Sequence, residues 1–196
     1  MVKRRMGIMA LLISLFLCFI PCSALAGSSG KSKGQIDLNR ECSLTLSYRS
    51  AGKKFSGQTV KLYQIAEVSA DGQYTLNPSF ASSGLVLNGI QTNGEWKVIR
   101  STLEAYILAN RIAPEMTAVT DKSGQVCFSG LTPGLYLTSA VEAVNGEVTC
   151  LFDPVLVALP GQSTDGFWQY QISVTAKPEA LPPISPDEKA EYKVLV

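Results

Sequence analysis

The segment from Asp121 to Leu137 constrains the fold more than any other part of the sequence, and it reads D-K-S-G-Q-V-C-F-S-G-L-T-P-G-L-Y-L. Asp121 to Gly124 is typical of a turn, and Gln125 to Phe128 predicts a short strand because it contains β-branched and aromatic side chains. A second turn is predicted from Ser129 to Gly134, since proline presets φ and glycine accepts positive φ. Another strand begins at Leu135, so the segment predicts two strands joined by tight turns.

The N-terminal residues have the pattern of an export signal. The basic residues 3–5 precede an apolar run from Met6 to Ile20, and Ala24 to Ala26 match an A-x-A cleavage site. The apolar run is short for a transmembrane anchor, which is the alternative interpretation. We expect residues 1–26 to be a cleaved secretory signal peptide and the mature chain to begin at Gly27.

Composition argues against several classes of function. The sequence has 17 Lys+Arg and 16 Asp+Glu, and cleavage after residue 26 would leave 14 basic against 16 acidic residues, a net charge of −2. Such a balanced chain lacks the clustered positive face that nucleic-acid binding requires. The absence of histidine excludes Ser-His and Cys-His nucleophile pairs and His-ligated zinc. We therefore predict no enzymatic activity, no cofactor, no metal site and no nucleic-acid partner.

The mature chain is predicted to contain one domain followed by a linker. Residues 27–34, rich in Gly and Ser, form a flexible leader, and residues 35–178 are long enough to bury a hydrophobic core. Residues 179–191 contain several prolines and charges, which is typical of a linker. An apolar run resumes at residues 192–196, so we expect the start of a further, truncated segment and interpret the sequence as the N-terminal piece of a longer surface protein.

Alternating hydrophobicity predicts that the domain consists mainly of strands. The second strand spans Thr59 to Val68, Asp71-Gly72 predicts a hairpin turn, and Phe167 to Thr175 alternates again. Short strands separated by turn clusters predict an all-β fold, an antiparallel β-sandwich. The residues predicted to share a face are Cys42, Leu44, Leu46 and Tyr48 in the first strand and Trp168, Tyr170, Ile172 and Val174 in the last.

One segment departs from the strand pattern and predicts a single amphipathic helix inserted between strands. Its apolar residues recur at helical spacing from Glu95 to Asn110. Asn93 is the predicted N-cap, Glu95 suits the first turn, and Pro114 prevents continuation. We expect the apolar face to pack on the sandwich, and a binding face is the alternative interpretation. That face comprises Trp96, Ile99, Leu103, Tyr106 and Ile107.

Five stretches of the sequence resemble the SpaA-like domains of Gram-positive pilins and adhesins, which are also called Cna-B-like or prealbumin-like. Asp121–Tyr136 is similar to the family pattern of a D-x-x-G turn, a strand and P-G-x-Y. Val60–Ala66 resembles the strand F-x-L-Y-K-V-A, and Asp71–Tyr74 resembles the turn after it. Asp153–Pro160 resembles x-P-F-L-V-S-L-P, and Trp168–Pro178 resembles W-x-Y-D-V-x-V-x-P-K. The resemblance covers most of the predicted domain and implies a prealbumin/Ig-like β-sandwich.

The resemblance implies a non-enzymatic structural or adhesive module that is secreted and lies at the cell wall surface. Its partners would be other pilin subunits, joined by a sortase, and ligands on host or neighbouring cells. Contact with the membrane would occur only through the signal peptide or an anchor beyond Val196. A carbohydrate-binding or accessory domain of a larger secreted enzyme is the alternative interpretation.

The resemblance also implies two kinds of covalent chemistry. Lys177 matches the pilin-motif lysine that attacks a sortase acyl-enzyme, and a solvated lysine at a strand end is the alternative. Many relatives carry an internal Lys–Asn or Lys–Asp isopeptide bond whose lysine lies in the first strand. Here Lys53 and Lys54 follow that strand, and the acid nearest to the P-G-x-Y turn is Glu142. We therefore expect no isopeptide bond in this domain.

Three cysteines, Cys42, Cys127 and Cys150, lie beyond the predicted cleavage site. Export permits a disulfide, and the sequence leaves all three pairings open, with three reduced thiols as the alternative. A bridge from Cys42 to either partner would close a long loop. It would stabilise the fold by roughly 3–5 kcal/mol in the chain-entropy account.

Overall fold

The computed structural model describes residues 32–50, 52–140, 143–145 and 148–180. The predicted signal peptide and residues 181–196 lie outside them. The described chain contains strands, one 3-10 helix and one α-helix. In chain order these are β1 (Ser32–Lys33), β2 (Cys42–Ser50), β3 (Lys53–Lys54), β4 (Thr59–Val68), β5 (Tyr74–Leu76), the 3-10 helix (Pro78–Ser83), α1 (Asn93–Asn110), β6 (Met116–Val119), β7 (Gln125–Leu131), β8 (Gly134–Ala140), β9 (Ala143–Asn145), β10 (Val148–Phe152), β11 (Val155–Leu159), β12 (Gly161–Gln162), β13 (Phe167–Gln169), β14 (Gln171–Ala176) and β15 (Pro178–Ala180).

Two main sheets pack face to face as a β-sandwich, which confirms the predicted fold class. In the first sheet, β2 lies between β7 and β14, and β3 pairs with the end of β2. In the second sheet the order is β11-β8-β4-β5, and β6 also pairs with β4. The pairs are antiparallel with one difference from the prediction: β2 and β14 run parallel. Two small sheets, β1-β13-β12 and β15-β10-β9, complete the described fold.

A hydrophobic cluster, the first cluster, fills the space between the two main sheets. The four residues predicted to share a face of β2 all point into it and are at most 2% exposed. The four residues predicted to share a face of the last strand are buried or partly buried in the same place. Tyr170 belongs to the first cluster, and Trp168, Ile172 and Val174 pack against it. Both alternation patterns are therefore confirmed. The first cluster includes Cys42, Leu44, Leu46, Tyr48, Val60, Leu62, Phe128, Tyr136, Phe152, Leu159 and Tyr170.

The other face of the second sheet is covered as well. There Tyr63 and Ile65 of β4 and Leu137 of β8 join a second cluster with α1 and the 3-10 helix. A β-bulge in β4, where the register shifts between Gln64 and Ala66, places Ala66 in the same cluster as Ile65. Strands β4 and β8 are thus buried on both faces. The second cluster comprises Tyr63, Ile65, Ala66, Phe80, Leu87, Ile99, Leu103, Leu135 and Leu137.

Helix α1 packs on the second sheet with the predicted face. Ile99 and Leu103 are buried, and Trp96, Tyr106 and Ile107 are partly buried against the second cluster. The helix therefore serves as a core element of the domain. Its apolar face is covered by the second sheet, so this face is not an exposed binding surface.

The helix begins differently from the prediction, because Thr92 and not Asn93 is the N-cap. Thr92 Oγ1 accepts a hydrogen bond from Glu95 N at 3.2 Å, and Glu95 Oε2 accepts one from Thr92 N at 2.9 Å. These reciprocal bonds form a capping box, which requires a hydroxyl three residues before a glutamate. A cap at Asn93 would put Trp96 at the third helical position and lose the second bond.

The Asp121 turn forms as predicted and fits closely against β2. Asp121 Oδ1 accepts hydrogen bonds from Ser123 N at 2.8 Å and Gln125 N at 2.9 Å. Gly124 has a φ of 71°, and a Cβ there would lie 2.7 Å from the carbonyl oxygen of Tyr48. Only glycine therefore satisfies both the backbone conformation and the contact.

Two strand boundaries differ from the prediction. Ser129 and Gly130, predicted as part of a turn, belong to β7, which continues to Leu131 because its ladder with β2 extends to Cys42. The last predicted strand is divided at Tyr170. Its first part, β13, pairs with β1 and β12, whereas β14 pairs with β2, so the break reflects a change of partner.

Replacing Leu103 with alanine should lower the free energy of unfolding by about 2–5 kcal/mol, because this fully buried side chain would leave a cavity in the second cluster. Leu108→Ala is the matched control on the same helix, since Leu108 is 80% exposed and its loss should cost less than about 0.5 kcal/mol. Urea denaturation followed by circular dichroism measures both. Equal losses would contradict the orientation of the helix.

Thr92→Ala should lower the free energy of unfolding by about 1 kcal/mol at neutral pH through loss of the cap. The pKa of Glu95 is held below its ordinary value, first by the hydrogen bond with the Thr92 side chain. Because the folded pKa is the lower one, the benefit is present at neutral pH and is lost as the pH falls below the ordinary glutamate value of about 4.3. Denaturation at several pH values should show the effect of Thr92→Ala shrinking in acid. Asn93→Ala is the control, and a larger loss from it would contradict the capping box.

Candidate functional site

Lys177 lies where the chain leaves the first sheet. It follows Ala176, the buried last residue of β14, which pairs with Tyr48 of β2. The Lys177 side chain is exposed, and its carbonyl oxygen accepts a hydrogen bond from Asp153 N at 3.4 Å. An accessible amine is thus attached to backbone that follows the first sheet and is hydrogen-bonded to the connection between β10 and β11. This geometry is compatible with a linkage site, and the sortase role of Lys177 stays a prediction.

The connection between β10 and β11, which contacts the Lys177 backbone, is anchored in the core by Phe152. The Phe152 ring makes edge-to-face contacts with Tyr48 at a centroid distance of 4.8 Å and with Phe55 at 5.2 Å. Such aromatic pairs contribute about 0.5–1.5 kcal/mol beyond their burial. The prediction from sequence did not identify Phe152 as a positioning residue for this site. The only signal available was an aromatic residue directly before Asp153-Pro154.

Helix α1 is linked to the same connection through Arg100. Arg100 Nη1 lies 3.6 Å from Asp153 Oδ2 and donates a hydrogen bond to the carbonyl oxygen of Pro154 at 3.2 Å. Both charged side chains are partly solvated, so the ion pair contributes about 1 kcal/mol at most. The contact therefore orients the connection between β10 and β11 more than it stabilises the domain.

None of the lysines whose burial the structure describes enters the core. Lys61 is half-buried, and the exposed lysines are Lys53, Lys54, Lys97, Lys122 and Lys177. The buried polar groups between the sheets include phenols instead: burial raises the pKa of Tyr48 and of Tyr136 to about 12, so both are neutral at physiological pH. A phenol has no amine, so these tyrosines cannot form an isopeptide bond. Glu142, the acid considered from the sequence, lies outside the described residues.

Cys42 and Cys127 point to opposite faces of the first sheet. Cys42 faces the first cluster, and burial raises the pKa of its thiol to about 12. Cys127 pairs with Thr45, whose side chain points away from the core face of β2. A bridge between these two would require one strand to turn over. This geometry disfavours a Cys42–Cys127 bridge. Cys42 is a free thiol in the structure and the Cys150 side chain lies outside the described residues, so a disulfide that includes Cys150 stays a prediction.

Other kinds of site find little support in the part of the chain that the structure describes. Side chains that bind metals do not gather there in groups of three or more. None of the helices in these residues combines the length and apolar character of a membrane span. A shallow, open depression beside β4 is lined mainly by Tyr63, Gln64, Asn77, Phe80, Ile112 and Glu115.

Comparison with known proteins finds pilins among solved structures. No protein-family model matches the sequence, and no curated protein matches it. The major pilin SpaD of Corynebacterium diphtheriae is 20% identical, with a TM-score of 0.46 over 75% of this chain and 32% of that chain. The major pilin SpaA of the same species is 24% identical, with a TM-score of 0.41 over 72% and 31%. A backbone pilin of Streptococcus pyogenes is 21% identical, with a TM-score of 0.47 over 76% and 29%. This chain thus spans about a third of the length of these pilins.

Any disulfide that non-reducing peptide mapping of the secreted protein finds within the chain should include Cys150, because Cys42 and Cys127 cannot reach each other across the sheet. Cys150→Ser is the informative variant, since it should leave no bridge within the chain. A peptide that joins Cys42 to Cys127 would contradict the strand orientation. Three reduced thiols would contradict the disulfide itself.

Proposed function

We propose that this protein is a secreted, non-enzymatic structural module of the Gram-positive cell surface, of the pilin type. The observation that supports it most directly is an exposed lysine placed immediately after β14, the last strand of the two main sheets of a filled β-sandwich. The interior is occupied by apolar side chains and neutral phenols, and the chain has no histidine. A domain of this kind is suited to maintain its shape and present a surface.

The predicted signal peptide supports a location outside the cytoplasmic membrane. A surface module of this size can act as a spacer, as a unit of a polymer or as an adhesin. Its partners in the proposal are other pilin subunits and ligands on host or neighbouring cells. The pilin-like sequence motifs from Val60 to Pro178 favour polymerisation over the other two roles.

Lys177 is the proposed linkage residue. In its neutral form the Lys177 amine attacks the carbonyl carbon of a sortase thioester, a C–N bond forms, and the C–S bond breaks. The cysteine sulfur of the sortase leaves and the amine loses a proton, so the product is an amide between two subunits. A base on the sortase must accept the proton that the attacking amine loses.

Incubation of the mature chain with a pilus-type sortase and an L-P-x-T-G peptide should attach the peptide to Lys177, as measured by intact mass and peptide mapping. Lys177→Arg should abolish the attachment, because the guanidinium stays protonated and cannot act as a nucleophile. Lys53→Arg is the matched control, since Lys53 is also exposed but lies in β3. Labelling that persists in Lys177→Arg would contradict the assignment.

A further inference from the structure

Strands β2 and β14, the first and last strands of the main sheets, are the parallel pair of the described structure. Their register runs from Ser43 opposite Gln171 to Tyr48 opposite Ala176. The chain enters β2 at Cys42 and leaves β14 at Ala176. Entry and exit therefore lie at opposite ends of the paired region, about 16 Å apart along the strands.

Tension between the two ends of the domain would act parallel to these strands. All hydrogen bonds between β2 and β14 would then bear load at the same time, and they would have to fail together. A pull applied to both strands at the same end would instead open the bonds one after another. We propose that the β2–β14 pair is a mechanical clamp that keeps the domain folded when the chain is pulled between its N-terminal and C-terminal segments.

The chain ahead of β2 is fastened to the chain ahead of β14. Asp37 N donates a hydrogen bond to Tyr170 Oη at 2.7 Å, and the Arg40 guanidinium lies 4.4 Å from the centre of the Tyr170 ring. Ile36 is buried, and its N–H donates to the carbonyl oxygen of Ala70 at 2.9 Å. These contacts hold the N-terminal segment against the domain, so tension must release them before it reaches the clamp.

Side-chain packing opposes sliding of the two strands. Leu44 and Leu46 of β2 are fully buried in the first cluster, and Ile172 and Val174 of β14 pack against that cluster. Sliding by one residue would turn the apolar side chains of one strand toward the solvent face. The clamp therefore combines backbone hydrogen bonds with a packed core.

Lys177 lies just outside the clamp, and this decides when the clamp bears load. Tension that enters through the Lys177 side chain and leaves through the residues after it would bypass β2. Tension that enters through the N-terminal segment would cross the clamp. The inference rests on the surface-module part of the proposed function, with one attachment made through the N-terminal segment, and it does not require the Lys177 linkage.

Single-molecule pulling on the mature chain can load the same pair in two directions. The first uses handles before Gly27 and after Val196. The second replaces the exposed Lys53, just beyond the end of β2, with a click-reactive amino acid and keeps the handle after Val196, so that both strands are pulled from the same end. We expect the force that separates β2 from β14 to be at least about twofold higher in the first direction. Equal forces would overturn the proposal.

A pair of proline substitutions tests the hydrogen bonds themselves. Ser43 N donates to the carbonyl oxygen of Tyr170 at 2.8 Å, and the alternation of a parallel ladder then directs the N–H of Val174 toward β2 and that of Ser173 away from it. Val174→Pro should raise the unfolding rate under end-to-end load by about tenfold, and Ser173→Pro should raise it less. A larger effect from Ser173→Pro would contradict the clamp. If Val174→Pro does not fold, the comparison of unfolding forces in the two loading directions, with β2 and β14 unsubstituted, still tests the clamp.

Failure of the clamp can be distinguished from failure of the proposed function. Sortase labelling at Lys177 with equal forces in the two directions would remove the clamp and leave the linkage role intact. A force difference between the two directions without labelling at Lys177 would support the clamp and remove the linkage role.

Discussion

Burial of both faces of the second sheet is the interaction on which the rest of the structure depends. Leu135, Tyr136 and Leu137, three consecutive residues of β8, are at most 2% exposed because they alternate between the two clusters. A slip of one residue would exchange the contents of the two clusters, so the register of the sheet is strongly specified. The helix and the first sheet each pack on a surface that this register creates.

The position of Lys177 follows from the first of these clusters. Tyr48 belongs to β2, contacts Phe152 in the core and pairs with Ala176, so one side chain and its backbone connect the interior with the exit of the chain. An exposed lysine on rigid backbone differs from one on a loose tail, because its amine samples fewer positions. The same arrangement places Lys177 outside the paired region of β2 and β14, where a load on its side chain leaves the sandwich unstretched.

Sequence patterns predicted the elements that have one buried and one solvated face. The alternation of β2 and the apolar stripe of α1 are examples, since each pattern has a single period that matches its geometry. Strand β4 has the predicted bounds, but alternation alone does not predict that both of its faces are buried, because a bulge between Gln64 and Ala66 interrupts the period. The predicted N-cap, Asn93, was wrong, although the T-x-x-E pattern from Thr92 to Glu95 is a local signal for the capping box that forms.

Local sequence was sufficient for the β-rich character, the turn at Asp121 and the location of the helix, because these depend on backbone preferences and on periodicity over a few residues. Tertiary structure alone decided that β14 runs parallel to β2, that the last strand divides at Tyr170, and that Phe152 anchors the connection beside Lys177. Each of these depends on a strand or side chain that is distant along the chain. Periodicity within a segment does not indicate which distant segment it pairs with or packs against.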